Sequence, residues 1–132
     1  MNLVVDASAL FEVLLWTPTG QSVARRLTAE EVLAPDIIDA EVASAVRRHL
    51  QAGRISESLA TRALDVLLDW PGQRVGTRLL VRGSRAYWPA VTAYDSLYVM
   101  LAATSAGTLL TCDGRLARAT GLDVPVEDVR VT

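Results

Sequence analysis

Short apolar runs alternate with amphipathic stretches along the chain, and this pattern predicts strands and helices in turn. Residues 2–5 are mostly apolar and β-branched, which is typical of a short buried strand. Beyond Asp6 the apolar spacing becomes helical over residues 7–15, until the Thr-Pro-Thr-Gly segment at residues 17–20 breaks the helix. Helical spacing resumes over residues 21–27. The first part of the chain is therefore predicted to be a strand followed by two helices.

The middle of the chain predicts one more strand and two longer helices. A strand is expected at residues 32–34, and the next helix begins at Pro35 and has Gly53 as its stop. Ser56 is a cap for the following helix, which ends at the Trp-Pro-Gly segment of residues 70–72. We expect these two helices to form a hairpin arm.

The last part of the chain returns to alternating strands and helices. Residues 77–86 predict an arginine-rich helix, and Thr92 caps a strongly apolar helix that Gly107 closes. Three shorter elements are expected after it: a strand over residues 108–112, a helix over residues 115–120 and a strand near residues 124–129.

This order of elements predicts an α/β fold with a mostly parallel central sheet. Strands alternate with helices throughout, and the sequence contains no internal repeat, low-complexity tract or linker. A length of 132 residues fits one domain, so we expect residues 1–132 to form a single domain. In such folds the ligand crevice lies at the carboxyl ends of the strands.

Composition narrows the chemistry that the chain can perform. The hydrophobic fraction of 51% and the charged fraction of 21% indicate a soluble globular protein, and a mean hydropathy of +0.27 indicates apolar surface for self-association. All 13 cationic residues are arginines, which excludes a P-loop lysine, a Schiff base or the lysine of a receiver domain. The net charge of −2 argues against whole-surface binding of nucleic acid, although a local arginine stripe remains compatible with it.

The cysteine content and the hydrophobic pattern predict a cytoplasmic protein. Cys112 is the only cysteine, so no internal disulfide forms, and we interpret it as a small buried hydrophobic residue. The sequence has neither the pattern of a signal peptide nor an apolar stretch long enough to span a membrane.

Four carboxylates occupy positions from which side chains converge above a parallel sheet. Asp6 and Asp113 directly follow predicted strands, and Asp95 lies in the first turn of an otherwise apolar helix. Glu41 lies on the helix that begins at Pro35. Because the carboxyl ends of parallel strands share one edge of the sheet, we expect these side chains to point into the same crevice.

An acidic cluster of this kind predicts a site for a hard divalent cation. All four ligands would be oxygens, which Mg²⁺ and Mn²⁺ prefer and zinc does not. Crowded carboxylates repel each other, so metal should stabilise the fold. A cation held there lowers the pKa of a water and neutralises charge on a phosphoryl oxygen, which is the chemistry of phosphodiester hydrolysis. Ser8 and Thr111 are well placed to orient an acid or a water.

The residues around these acids resemble the PIN-domain ribonucleases, and among them the VapC toxins of bacterial toxin–antitoxin pairs. The resemblance covers nearly the whole chain and includes Glu41 on the third helix. Three segments share its order and spacing: Val4-Val5-Asp6-Ala7-Ser8, Thr92-Ala93-Tyr94-Asp95-Ser96-Leu97-Tyr98 and Leu110-Thr111-Cys112-Asp113-Gly114-Arg115-Leu116. Some relatives carry a further acid a few residues beyond the position of Asp113. Here Arg115 and Leu116 follow, so the cluster is the minimal set of four.

The resemblance implies both a fold and a function. The fold would be a PIN-like three-layer sandwich, and the activity that of an endoribonuclease dependent on Mg²⁺ or Mn²⁺. Such toxins cleave structured RNA such as tRNA or rRNA, are usually dimeric, and are restrained by a cognate VapB antitoxin that commonly places an arginine among the acids. The four acids would be both the metal ligands and the catalytic residues, and no protein side chain would act as nucleophile.

Simpler interpretations exist for individual residues. Asp6 and Asp95 are compatible with helix capping and with the helix dipole, and Asp39 is a rival of Glu41. Arginine pairs on helices are usually solvated, and Arg115 is the candidate for RNA contact because it lies closest to Asp113 in sequence. We leave His49 out of the site as a surface residue. The larger aromatic residues are interpreted as core or interface anchors: Trp16, Trp70, Tyr94 and Tyr98.

Two other functions fit an acidic α/β domain. One is a non-catalytic regulatory or dimerisation module whose acids serve a partner. The other is a phosphoacceptor receiver domain, against which the missing lysine and the spacing of Asp6 to its neighbours argue.

Overall fold

The computed structural model describes residues 1–28 and 30–131, which form a parallel five-stranded sheet flanked by helices. The strand order is β3-β2-β1-β4-β5, and every neighbouring pair is parallel. The predicted α/β class with a parallel sheet is confirmed. The strands are Asn2–Val5 (β1), Glu31–Pro35 (β2), Gln73–Val75 (β3), Thr108–Thr111 (β4) and Val126–Asp128 (β5). The helices are Ala7–Leu15 (α1), Pro18–Leu27 (α2), Ile38–Gln51 (α3), Glu57–Asp69 (α4), Val81–Ser84 (α5), Ala93–Ser105 (α6) and Gly114–Ala117 (α7).

Strand β1 lies in the middle of the sheet because its sequence is almost entirely apolar. Leu3, Val4 and Val5 are fully buried, between β2 on one side and β4 on the other. The backbone N–H of Asp6 donates to the carbonyl of Leu110 at 3.1 Å, which extends the pairing one residue beyond the strand. The ends of β1 and β4 therefore lie side by side at one edge of the sheet.

Helix α6 packs along this central part of the sheet. It contacts β1, β2 and β4 in the sheet, and also α5 and the turn at Arg85–Tyr87, so it buries residues on more than one face, which explains why its sequence is apolar nearly throughout. Thr92 caps it by accepting a hydrogen bond from the N–H of Asp95 at 3.1 Å, as predicted. The first turn of α6, with Asp95, is therefore fixed.

The two long helices after β2, α3 and α4, contact each other as the predicted hairpin requires, and both also pack against α1. Arg74, the middle residue of β3, joins several elements. Its guanidinium donates to both carboxylate oxygens of Asp39 and to the carbonyls of Leu67, Trp70 and Gly72. This arginine fixes the carboxyl end of α4 to α3 and to strand β3.

Two helix starts differ from the prediction. Helix α2 begins at Pro18 rather than at residue 21, because the Thr17 hydroxyl accepts a hydrogen bond from Gly20 at 3.0 Å and a proline is compatible with a first helical position. Helix α3 begins at Ile38, because Pro35 still belongs to β2, where it lies opposite Val75.

Strand β3 was not predicted. It lies at the edge of the sheet and is only partly buried, so its sequence, Gln73-Arg74-Val75, lacks an apolar run. The helix predicted over residues 77–86 is divided into α5 and two 3-10 turns, Thr77–Leu79 and Arg85–Tyr87. These short segments pack closely against α6, since a Cβ at Gly83 would lie 2.4 Å from Cε of Met100.

The remaining helix and strand ends differ from the predicted ones by a few residues. Helix α6 ends at Ser105, and Ala106 rather than Gly107 takes the left-handed conformation, with φ of 53°. Gly107 is needed for close packing, since a Cβ there would lie 2.9 Å from the carbonyl oxygen of Asn2. Helix α7 and strand β5 are shorter than the stretches predicted for them. Within the described residues, no helix combines the length and apolarity that crossing a membrane requires.

Candidate active site

All four predicted acids line one cavity at the carboxyl edge of the sheet. The cavity has a volume of about 870 Å³, and Asp6, Glu41, Asp95 and Asp113 are all in its wall. They come from four different parts of the chain: the end of β1, the first turns of α3 and α6, and the residue before α7. The fold therefore brings together residues that are far apart in sequence.

Asp6 is the most deeply buried of the four acids. Its side chain is 5% exposed and accepts hydrogen bonds from the hydroxyls of Ser8 and Thr111 and from the backbone N–H of Ala9. Burial raises the pKa of Asp6 from 3.8 to about 6, although these hydrogen bonds act in the opposite direction. Desolvation is therefore the stronger effect, and the group binds a proton more readily than an ordinary carboxyl.

The predicted orienting residues, Ser8 and Thr111, connect Asp6 to the loop after β4. The Ser8 hydroxyl donates to Asp6 at 2.6 Å and accepts from the backbone N–H of Cys112 at 2.9 Å. The Thr111 hydroxyl donates to the other oxygen of Asp6 and accepts from the N–H of Asp113 at 2.9 Å. These bonds fix the Asp6 carboxylate relative to the backbone that carries Asp113.

Glu41 reaches the cavity from helix α3 and is held by a buried tyrosine. The phenol of Tyr98, which is 1% exposed, donates to Oε1 of Glu41 at 2.6 Å. Burial raises the pKa of Glu41, and the negative charge of Asp95 raises it further, while the bond from Tyr98 opposes the rise. Burial and the Glu41 carboxylate also raise the pKa of Tyr98, which keeps the phenol protonated.

Asp95 and Asp113 complete the acidic cluster. Burial raises the pKa of Asp95, Asp113 adds to the rise, and the charge of Arg115 opposes it. Asp113 caps α7, where its side chain accepts a hydrogen bond from the N–H of Arg115 at 2.9 Å. Arg115 itself is exposed. The charge of Asp95 also raises the pKa values of Asp6 and Glu41, so the carboxylates of the cluster repel one another.

The carboxylates do not form a closed cage. Over residues 1–28 and 30–131, no three acidic, histidine or cysteine side chains stand close enough together to enclose a single ion directly. Carboxylates that line one cavity repel one another. Mg²⁺ keeps several water ligands and needs only one or two direct carboxylate bonds, so an open cluster of oxygen donors fits its chemistry.

Asp39, the rival of Glu41, points elsewhere. Both of its carboxylate oxygens accept hydrogen bonds from Arg74, at 2.8 and 3.2 Å. It is absent from the cavity wall, which Glu41 lines. The structure therefore assigns Asp39 a role in packing.

Three cavity residues were missed by sequence reasoning: Glu12, Arg48 and His49. His49 is not a plain surface residue, since its ring lies 4.5 Å from that of Phe11 and its Nδ1 is 2.9 Å from the carbonyl oxygen of Ala45. Burial raises the pKa of Glu12. The signal for Glu12 is visible in the sequence, because it is the only acid in the otherwise apolar helix α1.

Two of the aromatic residues interpreted as core or interface anchors do not lie in the core. Trp16 is 53% exposed and Tyr94 is 63% exposed, and Tyr94 lines the cavity. Tyr98 is buried as expected, and Trp70 packs against the core and lies under the Arg74 guanidinium at 4.8 Å. Cys112 is half-buried in the cavity wall, and burial raises the pKa of its thiol to about 12.

Comparison with known sequences finds one protein family over most of the chain. The sequence model of the PIN domain matches residues 3–122. Ribonuclease VapC12 of Mycobacterium tuberculosis is 36% identical over 125 residues, which are 95% of this chain and 97% of that protein. Ribonuclease VapC3 of the same organism is 40% identical over 119 residues, which are 89% of this chain and 87% of that protein.

Solved structures share the fold at lower identity. PAE2754 from Pyrobaculum aerophilum superposes with a TM-score of 0.70 and 23% identity, over 97% of this chain and 84% of that one. A chain of VapBC2 from Rickettsia felis, bound to a DNA fragment from its promoter, superposes with a TM-score of 0.67 and 14% identity, over 96% of this chain and 98% of that one. At these identities the likeness speaks for the fold alone.

Proposed function

The chain belongs to the PIN domain family and, within it, to the VapC ribonucleases, and on that premise we propose that it is a toxin that hydrolyses phosphodiester bonds in RNA. The observation that carries this proposal is the cavity of about 870 Å³ in which Asp6, Glu41, Asp95 and Asp113 meet. The chain, residues 1–132, acts as one PIN domain. Its substrate is structured RNA such as tRNA or rRNA, and the cut is internal.

The acids of the cavity fit a hard divalent cation, Mg²⁺ or Mn²⁺. Every side chain of the acidic cluster offers oxygen, and burial together with repulsion between neighbouring acids raises the pKa values of Asp6, Glu41 and Asp95, a penalty that a bound cation would offset. The four acids would hold the cation, directly or through its water ligands. When bound, it lowers the pKa of the attacking water and neutralises charge on the phosphoryl group.

The protein contributes orientation. Ser8 and Thr111 fix both oxygens of Asp6, and Tyr98 fixes Glu41, so these carboxylates do not have to be reordered when substrate arrives. No side chain attacks the phosphate. Burial keeps Cys112 a neutral thiol and Tyr98 a neutral phenol at neutral pH, and neither neutral group is an effective nucleophile. Water is the nucleophile.

Arginine side chains offset the repulsion between RNA and the acids. Arg115 is exposed next to Asp113 and contacts a phosphate of the substrate. The overall net charge is −2, so binding depends on such local contacts and weakens steeply with salt.

The toxin is restrained by a cognate VapB antitoxin and acts in the cytoplasm as a homodimer. The relatives named as VapC ribonucleases support an antitoxin as partner, and the VapBC2 chain from Rickettsia felis shares the fold. The acidic cavity offers a site for an arginine of that antitoxin, since a guanidinium pairs with two carboxylate oxygens at once.

Cleavage of purified tRNA and rRNA tests the proposal. Wild-type protein should cut the RNA in Mg²⁺ and stop when EDTA is added. Asp95→Asn keeps the size of the side chain and removes its charge, and we expect cleavage to fall by at least about 100-fold, since it removes a group that supports the transition state. Asp65→Asn is the matched control, because Asp65 is an exposed acid on α4 outside the cavity.

Two results would contradict the proposal. One is cleavage by Asp95→Asn at the wild-type rate, with contaminating nuclease excluded by mock purification. The other is a wild-type protein that binds Mg²⁺ but degrades no RNA, which would favour the non-catalytic module instead.

A further inference from the structure

A second cavity of about 370 Å³ adjoins the acidic one, and Asp95 lies in the wall of both. Its other lining residues are the segment from Trp88 to Thr92, together with Arg115 and Leu116. The volume is within the range of small-molecule sites in proteins, about 300–1,000 Å³. We call it the Trp88 pocket.

Trp88 is exposed, although hydrogen bonds fix the segment around it. Its side chain is 51% exposed, whereas the preceding Tyr87 is 9% exposed and donates from its phenol to Asp123 at 2.6 Å. The N–H groups of Ala90 and Val91 both donate to the carbonyl of Tyr87, at 3.0 and 3.1 Å. The indole is therefore presented to solvent from a fixed turn, which favours binding because little order has to be gained.

Arg115 gives the Trp88 pocket a positive charge next to the acids. Its backbone is fixed by Asp113, and in the part of the chain that the structure describes its guanidinium makes no ion pair or hydrogen bond. A guanidinium of this kind binds a phosphate by two parallel hydrogen bonds. An exposed aromatic face beside a cationic group is the combination that binds unpaired nucleotides, because the base stacks on the ring and the cation takes the phosphate.

We propose that the Trp88 pocket binds a nucleotide next to the bond that is cleaved, with its base stacked on Trp88 and its phosphate on Arg115. This inference rests on the proposed ribonuclease function, since the shared residue Asp95 makes the pocket continuous with the catalytic cavity. A base can stack on the indole only after it leaves its own helix. The pocket therefore selects RNA whose cleavage site lies in a loop or an unpaired end.

Binding of two oligoribonucleotides tests this inference. The probes are a 5′-labelled 12-nucleotide oligouridylate and an abasic oligoribonucleotide of the same length, and anisotropy is measured in EDTA so that neither is cut. The two probes carry the same phosphates and differ only in their bases. We expect Trp88→Ala to weaken oligouridylate binding about 5- to 100-fold and to leave abasic binding unchanged. Arg115→Gln should weaken both probes equally, since both carry phosphates.

Two further variants serve as controls. Trp88→Phe keeps an aromatic face and should retain most of the affinity for oligouridylate, which separates stacking from a loss of folding. Trp16→Ala removes an indole that is 53% exposed at the opposite end of α1 from Asp6, and should change neither affinity.

The inference is overturned if Trp88→Ala weakens both probes equally or neither, or if wild-type protein binds both with the same affinity. It is also overturned if Trp88→Ala changes only the oligomeric state by light scattering, which would assign the indole to an interface between copies. In each of these cases RNA cleavage by the wild type leaves the ribonuclease proposal standing. Wild-type protein that neither binds the probes nor cleaves RNA would overturn both.

Discussion

Asp6 is both a structural residue, as the cap of α1, and a candidate catalytic residue in the cavity wall. As the cap of α1 it accepts from the N–H of Ala9 at 2.9 Å. As part of the cavity wall it lies with three other acids. Capping and metal binding, which are alternatives when only the sequence is considered, are therefore compatible at this position. The cost is a buried carboxylate whose charge is poorly solvated.

This cost predicts that stability falls as pH rises. The folded-state pKa of Asp6, about 6, lies above the ordinary value of 3.8, so the folded protein binds the proton more tightly than the unfolded chain does. The stabilisation that proton binding to Asp6 gives the folded state is complete below the ordinary pKa and is lost as pH rises through about 6. The rise in pKa from 3.8 to about 6 corresponds to about 3 kcal/mol. Urea unfolding in EDTA, followed across this range, measures it.

Asp6→Asn is the matched variant for this experiment. Asparagine can still accept from Ala9, but it does not titrate, so the decline in unfolding free energy between the ordinary pKa and neutral pH should become much shallower. Glu41 and Asp95 will leave a residual slope of the same sign, because their pKa values are also raised. An unchanged slope in Asp6→Asn would show that Asp6 is not the group that titrates.

The hydrogen bond between Tyr98 and Glu41 predicts a second residue-scale effect. Tyr98→Phe leaves the ring buried and removes only the donor at 2.6 Å, so Glu41 loses its fixed orientation. We expect kcat for RNA cleavage to fall about 10- to 100-fold, since a hydrogen bond to a charged group is worth about 1.5–3 kcal/mol. The same change in a Glu41→Gln background should cost much less. Equal losses in both backgrounds would mean that Tyr98 acts independently of Glu41.

Residues of the cavity differ in how far the sequence predicts them. Asp6 and Asp113 are predictable because a parallel sheet brings the ends of its central strands to one edge. Asp95 is predictable because a charged side chain in the otherwise apolar helix α6 should be paired or ligated. The place of Arg48 in the wall is not predictable, because it depends on how α1 packs against α3, and periodicity does not fix that packing.

At the scale of elements, the sequence predicts buried segments well and partly buried edge segments poorly. The limits of α1 and β1 are predicted correctly because their apolar pattern is strong and Asp6 marks the boundary between them. Strand β3 is not predicted because an edge strand with half-buried residues has no apolar run. The start of α2 is misplaced because a proline inside a helical pattern predicts a break, whereas a proline at the first helical position begins a helix.

The contact between α1 and α2 gives an element-scale prediction. A Cβ at Gly20 would lie 1.9 Å from the carbonyl oxygen of Glu12, which is backbone and cannot move without shifting α1. Gly20→Ala should therefore destabilise the protein by about 1–3 kcal/mol or more, the usual cost of overpacking. Thermal or urea unfolding measures the loss. Because α1 carries both Asp6 and Glu12, cleavage should also fall.

Gly76→Ala is the control for that substitution. Gly76 has an ordinary φ of −58°, and a Cβ there meets nothing within 4 Å. We expect this variant to be neutral or more stable by up to about 1 kcal/mol, because alanine restricts the unfolded chain. If Gly20→Ala were as stable as Gly76→Ala, the close packing of α1 on α2 would be wrong.

At the scale of the whole molecule, the fold concentrates negative charge at one edge of a sheet and places an arginine and an exposed tryptophan beside it. The sheet topology fixes this arrangement, because β1 and β4 are neighbours although 104 residues lie between Val5 and Leu110, which pair in register. RNA that follows the surface would meet the Trp88 pocket and the acids in turn. The acids remain repulsive to RNA until a cation neutralises them.

The central claim, that the four acids share a hard cation, is tested most directly by anomalous diffraction from a crystal soaked in Mn²⁺. The account predicts a manganese peak in the cavity, with at least one oxygen of Asp6, Glu41, Asp95 or Asp113 at about 2.0–2.3 Å and the rest reached directly or through water. The peak should vanish in Asp95→Asn crystals grown in the same way. No peak in the cavity of the wild-type protein at saturating Mn²⁺, or a peak bound only by other residues, would contradict it.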